Sequence, residues 1–137
     1  MDNKRNFSAK REAIYRAISS ADTHPSAEWI YEQLKQEIPD LSLGTVYRNL
    51  NIFKQNGKIK SLGVFNGHER FDFDTSPHSH FVCECCFSII DVPGSINLFD
   101  KNTCLYVEKE CGVKVDSYSV VFYGICRKCR RKQSALR

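Results

Sequence analysis

Apolar residues recur at helical spacing three times before Gly57, and the pattern then changes to short runs of strand character. Ser8 is a candidate N-cap, after which Ala13, Ile14, Ala17, Ile18 and Ala21 share one helix face. Asp22, Thr23, His24 and Pro25 break that helix. Ser26 can cap a second, whose stripe is Ala27, Ile30, Leu34 and Ile38 and which should end near Pro39 and Asp40. Ser42 is the candidate cap of a third. There Val46, Leu50 and Phe53 face inward, Thr45, Tyr47, Arg48, Asn49 and Asn51 are left for outward faces, and Gly57 is the expected stop.

From Ile59 the segments SLGVF and HERFDF flank Asn66-Gly67, the dipeptide most favoured in a two-residue hairpin turn. Three helices followed by a hairpin is the order of a winged helix. HFVCEC and FSIIDV read as a second strand pair, residues 95 to 111 as a moderately amphipathic helix, and VKVDSYSVVFYGIC as one or two further strands. The turn-forming DTSP between Phe73 and Pro77 marks a boundary. The expected fold is mixed α/β (α+β), with a winged helix at 1–74 and a small α/β domain at 75–137.

Neither half is large, and domains of this size usually draw stability from a metal, a disulfide or a partner subunit. No apolar run approaches the ~18 residues that span a bilayer, and the charged N-terminal segment has no secretory apolar region, so a cytoplasmic protein is expected. In a reducing compartment seven cysteines point to metal or redox chemistry rather than a disulfide framework. The net charge of +4 divides into +3 over residues 1–60, −5 over 61–126 and +6 over 127–137. Ser42 to Lys60 holds Arg48, Lys54, Lys58 and Lys60 with no acid, the local footprint of a phosphate-binding surface.

Cys83-x-x-Cys86 and Cys126-x-x-Cys129 each offer two thiolates at the spacing that fills two corners of a Zn²⁺ tetrahedron, and together they make a closed structural site. The alternatives are a dithiol redox pair or unrelated core cysteines. Cys85 is spare, and Cys104 and Cys111 read as small buried groups on a helix. His78-x-His80 lies just before the first pair, with Asp72 upstream, Asp91 downstream and His24 distant. Singly these are ordinary turn or surface residues. Together they offer three nitrogen and two oxygen ligands, a set suited to Fe²⁺ or Mn²⁺ that also accepts Zn²⁺.

The segments HPSAEWIYEQL, LSLGTVYRNLNIFKQNGKI, RFDFDTSPHSHFVCECC, IIDV and YGICRKC occur in an order that resembles the ferric uptake regulator family. The resemblance runs from Ser8 to Cys129 and leaves out the basic tail. It implies a homodimer with a winged-helix DNA-binding domain at 1–74 and an α/β dimerisation and metal-binding domain at 75–137, and in the peroxide-responsive branch it places the regulatory metal on His24, Asp72, His78, His80 and Asp91. Asp72 discriminates, because the iron-uptake branch generally has Glu there. Phe87, where Gly is usual after the first Cys pair, and the additional Cys85 are departures that remove no ligand.

The resemblance further implies a repressor, not an enzyme, that holds double-stranded operator DNA. Peroxide would act through iron-catalysed oxidation of His24 or His78, and Mn²⁺ in place of iron would resist it. The DNA contacts are expected from Thr45, Tyr47, Arg48 and Asn49, with Lys54, Lys58 and Lys60 on phosphate. No membrane and no organic cofactor are expected, and His68 at the hairpin tip receives no role. The rival readings are an iron- or zinc-uptake repressor that responds to metal level only, a small metalloenzyme built on the open His/Asp set, and a DNA-binding protein whose zinc is purely structural.

Overall fold

The structure is a computed structural model that describes residues 2–94 and 101–135. The chain forms two compact units, Met1–Thr75 and Ser76–Arg137.

Unit 1 opens with α1 (Asp2–Ser20), α2 (Ala27–Leu34) and α3 (Leu43–Gln55). Ser8 is not a cap: α1 runs back to Asp2, because no glycine or proline interrupts the stretch before it. Ser26 and Ser42 do cap α2 and α3, accepting the backbone N–H of Trp29 and of Thr45. Regular helix in α2 stops at Leu34, short of Pro39. Ile38 still bonds its N–H to the Leu34 carbonyl at 2.9 Å and packs on the core from a turn.

Beyond α3, the Lys58 N–H reaches the Phe53 carbonyl and the Gly57 N–H the Lys54 carbonyl, with Gly57 at φ +72°. This is a Schellman ending that only glycine adopts without strain. The hairpin β1 (Lys60–Phe65) and β2 (His68–Asp72) turns through Asn66 and Gly67, both at positive φ as a type I′ turn requires. A bulge lies between Ser61 and Gly63.

Ile14, Ile18, Ile30, Val46, Leu50 and Phe71 are fully buried in the core that these elements share. Burying each stabilises the unit by about 1.5–3 kcal/mol before the entropy cost of ordering. The Phe71 N–H bonds to the Pro25 carbonyl at 3.0 Å, and Ser26 bridges to Arg70, so the hairpin is tied to the segment that carries His24.

Unit 2 has a three-stranded sheet of β3 (His80–Cys83), β4 (Ile89–Asp91) and β5 (Val121–Gly124) in the order β4-β3-β5. β3 runs antiparallel to β4 and parallel to β5. A parallel pair needs a long crossover, and the crossover here includes the helix α4 (Lys101–Cys111). The first part of the helix expected at 95–111 lies outside the described residues. Of VKVDSYSVVFYGIC only Val121–Gly124 pairs as a strand; residues 113–120 have no regular structure. The basic tail, which no periodicity assigned to an element, forms α5 (Arg127–Ala135).

Among the described residues the buried apolar interior of unit 2 is small: Val82 and Ile89, with Cys83, Cys126 and Cys129 clustered against Phe81. The cysteines therefore occupy the place of a core. Among the described residues no helix is long and apolar enough to cross a membrane.

Candidate metal centres and nucleic-acid face

The end of β3 delivers Cys83, the turn after it Cys86, the segment leaving β5 Cys126, and the first turn of α5 Cys129. Their four sulfurs lie within 4.8 Å of one another. Cys83 Sγ is 3.8 Å from Cys129 Sγ, and Cys86 Sγ is 3.7 Å from Cys126 Sγ. A tetrahedron of ~2.3 Å Zn–S bonds has edges of about 3.8 Å, so the cluster already has the dimensions of a Zn²⁺ site.

Two of the four thiols are tuned toward the thiolate form. The backbone N–H groups of Cys86 and Cys126 point at Cys83 Sγ and pull its pKa down to about 6. The Ser88 hydroxyl lowers that of Cys86. Cys129 moves the other way, raised by the Cys126 thiol and by burial, with Cys85 among the thiols that add to the effect.

Phe87 occupies the turn position where glycine is usual. It adopts φ +60° while its N–H bonds to the Cys83 carbonyl at 2.9 Å, so the knuckle keeps its geometry at a cost of about 1 kcal/mol in backbone strain. Cys85 is exposed, as is Cys111, and Cys104 is half-buried. The expectation of two buried helix cysteines fails because α4 turns much of its surface to solvent, including Leu105 and Tyr106.

The His/Asp residues form one group in each unit. In unit 1, His24 is 9% exposed and Asp72 4%, and His24 Nδ1 stands 3.7 Å from Asp72 Oδ1. Arg70 Nε donates to the His24 carbonyl, and Asp72 Oδ1 accepts the Asp74 N–H at 2.9 Å, which fixes both backbones. In unit 2, His78 Nε2 and His80 Nε2 lie 3.3 and 3.2 Å from the same Asp91 oxygen, and the two ring centroids are 4.4 Å apart with the planes tilted by 55°. Register sets this up, since His80 pairs directly with Asp91 across β3 and β4. His78 Nδ1 donates to the Ser76 carbonyl at 2.7 Å, which leaves the ring's lone pair on Nε2, the nitrogen that faces Asp91, the arrangement a ligand histidine needs.

On α3, Arg48 is exposed and its guanidinium donates to Thr45 Oγ1 at 2.9 Å. Thr45 and Asn49, expected to face outward, are buried at 7% and 5%. Polarity misled the reading: the Asn49 amide donates to the Thr45 carbonyl at 2.9 Å and accepts from Arg11 Nε at 3.0 Å. Both act as supports for arginines rather than as outward groups.

Tyr47 is half-buried and its hydroxyl donates to Glu28, which His68 Nδ1 also approaches at 3.2 Å. Lys54 is paired with Glu69 at 3.1 Å, Lys58 lies over the Tyr15 ring, and Lys60 is exposed at the start of β1. Arg11, Glu28 and Glu69 were not singled out from sequence, and His68 was given no role. Each looks like an ordinary solvated residue until the helices and hairpin are assembled.

Residues 3–123 match the model of the ferric uptake regulator family. The chain is 35% identical to the peroxide operon regulator of Bacillus subtilis (strain 168), over 91% of this chain and 84% of that protein. It is 34% identical to the peroxide-responsive repressor PerR of Staphylococcus aureus (strain USA300), over 90% and 81%. The fold is similar to the crystal structure of the Campylobacter jejuni peroxide stress regulator, with a TM-score of 0.73 and 28% identity over 93% of this chain and 94% of that one. Match, identity and fold agree: the chain belongs to the ferric uptake regulator family.

Proposed function

We propose that this protein is a dimeric, metal-dependent repressor that grips operator DNA when its His/Asp groups hold a metal ion and releases it on exposure to hydrogen peroxide. The observation that carries this reading is the division of the ligands. His24 and Asp72 belong to the helix-rich unit with the α3 basic face, while His78, His80 and Asp91 belong to the other. One ion held by all five couples the units, and DNA binding and metal binding then strengthen each other by the same factor.

Residues 1–74 serve as the DNA-binding domain, with Tyr47, Arg48, Lys58 and Lys60 at the duplex and Lys54 sharing its charge with Glu69. Thr45 and Asn49 position the arginines. Residues 75–137 serve for dimerisation. Leu105, Tyr106, Phe122 and Tyr123 are large apolar groups left exposed in unit 2, and a second copy is the occupant that suits them. Zn²⁺ on Cys83, Cys86, Cys126 and Cys129 closes that unit. The compartment is the cytoplasm, and no reaction is catalysed on a separate substrate.

The nitrogen and carboxylate donors fit Fe²⁺ or Mn²⁺. Bound Fe²⁺ would supply the electron that cleaves the peroxide O–O bond. His24 and His78 are the imidazoles that take up oxygen and lose their donor strength. Asp72, clamped by the Asp74 N–H, keeps its carboxylate short and close to His24. The kinship with the Bacillus subtilis and Staphylococcus aureus peroxide regulators supports the peroxide reading.

The test is operator binding by protein loaded anaerobically with Fe²⁺ or Mn²⁺, before and after stoichiometric H₂O₂, followed by peptide mass analysis. Release of the iron form alone, with one added oxygen on His24 or His78, is the expected result. Release of neither form makes the protein a repressor governed by iron or zinc level.

A further inference from the structure

The function above leaves α5 unused. Its nine residues carry Arg127, Lys128, Arg130, Arg131 and Lys132, all exposed, and among the described residues none of these five has an acidic partner. The helix lies beyond residue 123, where the match to the family ends. Its sequence has no apolar stripe, and its first turn places Arg127 and Lys128 at the positive end of the helix dipole, where cations are unfavourable. α5 forms because Cys129 is buried in the thiolate cluster and the Arg130 N–H bonds to the Cys126 carbonyl at 2.9 Å. A dianionic zinc tetrathiolate would offset two of the five charges and leave the others uncompensated.

Spacing directs the remainder. Arg127, Arg130 and Arg131 stand at i, i+3 and i+4, so their guanidiniums share one face. With Ile125 and Ser134 they line an open groove of about 450 Å³. Three forked donors in a row beside a hydroxyl match a chain of evenly spaced phosphates better than a single anion.

We propose that α5 is a second, sequence-independent DNA contact, in which Arg127, Arg130 and Arg131 hold the phosphate backbone of the duplex. It rests on the DNA-binding reading above and adds to it a contact outside the winged-helix unit. The sequence read by α3 is unaffected. What α5 supplies is affinity that any duplex shares and that salt weakens.

The experiment measures the salt dependence of duplex binding by the full-length metal-loaded protein, on operator and on unrelated DNA. It compares the wild type, the triple variant Arg127→Gln/Arg130→Gln/Arg131→Gln, and the same three positions changed to Lys. Each lost guanidinium–phosphate contact lowers the slope of log K against log salt by ~0.9, so the Gln variant is expected to lose up to about 2.7 per engaged subunit on both DNAs. The Lys variant should keep the slope, and both variants should keep their zinc. An unchanged slope in the Gln variant overturns the inference and leaves an acidic protein surface as the occupant. An equal loss in the Lys variant also overturns it, because charge is then not the cause. Failure of the wild type to bind any duplex would instead sink the DNA-binding reading itself.

Discussion

The Asn49 side chain, buried on α3, accepts a hydrogen bond from Arg11 Nε on α1 at 3.0 Å. The same amide donates to the Thr45 carbonyl, so one residue fixes a helix-to-helix contact and orients a cation. Asn49→Ala is expected to destabilise unit 1 by about 1–2 kcal/mol, the cost of stranding these partners. Operator affinity should fall with it. In a double-mutant cycle with Arg11→Ala the two losses should be strongly non-additive, as urea unfolding and DNA titration would show. Additive losses would separate Arg11 from Asn49.

The Glu28 carboxylate joins α2 to Tyr47 on α3 and to His68 on β2. Burial alone would raise its pKa, but the Tyr47 hydroxyl, its own backbone N–H and His68 more than offset this and hold it below the ordinary value. Tyr47 is pushed up to about 12, first by the bond to Glu28 and then by burial. A raised pKa means that this bond stabilises the fold fully below the unfolded tyrosine value of ~10 and is lost as pH climbs through about 12. Glu28 contributes above the ordinary carboxylate range, and its share disappears as pH falls through its depressed value. In Glu28→Gln the tyrosinate absorbance of Tyr47 should titrate closer to 10.

Much of this architecture was legible in the sequence, and the reasons differ by element. The caps at Ser26 and Ser42, the Gly57 stop and the Asn66-Gly67 turn are local chemistry, decided by residues a few positions apart. The two Cys pairs were legible because metal geometry constrains spacing. His80 and Asp91 came together through strand register, which the flanking apolar runs imply. Thr45 and Asn49 were misplaced because a buried polar residue shows itself only through partners, and Arg11 is remote in sequence. α5 was missed because its order comes from Cys126 and Cys129, not from any periodicity of its own.

Removing zinc with a chelator should undo unit 2 and spare unit 1. Among the described residues unit 2 buries few apolar groups besides its thiols, Val82 and Ile89, whereas unit 1 has a full apolar core. Trp29 on α2 is the single tryptophan, so its emission should stay constant while amide protection in β3, β4 and β5 is lost. Cys129→Ser should behave like the chelated protein, and Cys85→Ser like the wild type. Zinc loss from the Cys85 variant would place that thiol among the ligands.

Asp72→Glu keeps the charge yet adds a methylene, so the carboxylate can no longer sit beside His24 while accepting the Asp74 N–H. The variant should bind metal and operator but need at least about tenfold more peroxide for release, a change of ~1.4 kcal/mol in the apparent balance. Release at wild-type doses would remove Asp72 as the residue that confers sensitivity.

The parallel pairing of β3 with β5 also governs the order in which the molecule is built. Residue 80 must find residue 121, whereas in unit 1 Phe65 meets His68 across a two-residue turn. Contacts between distant residues form slowly, and the chain is open to aggregation until they do. Unit 1 therefore matures first, and unit 2 waits both for its far strand and for the ion that locks it. Cells that make this chain faster than they can deliver zinc would accumulate half-finished molecules, which proteases and chaperones would meet before DNA does.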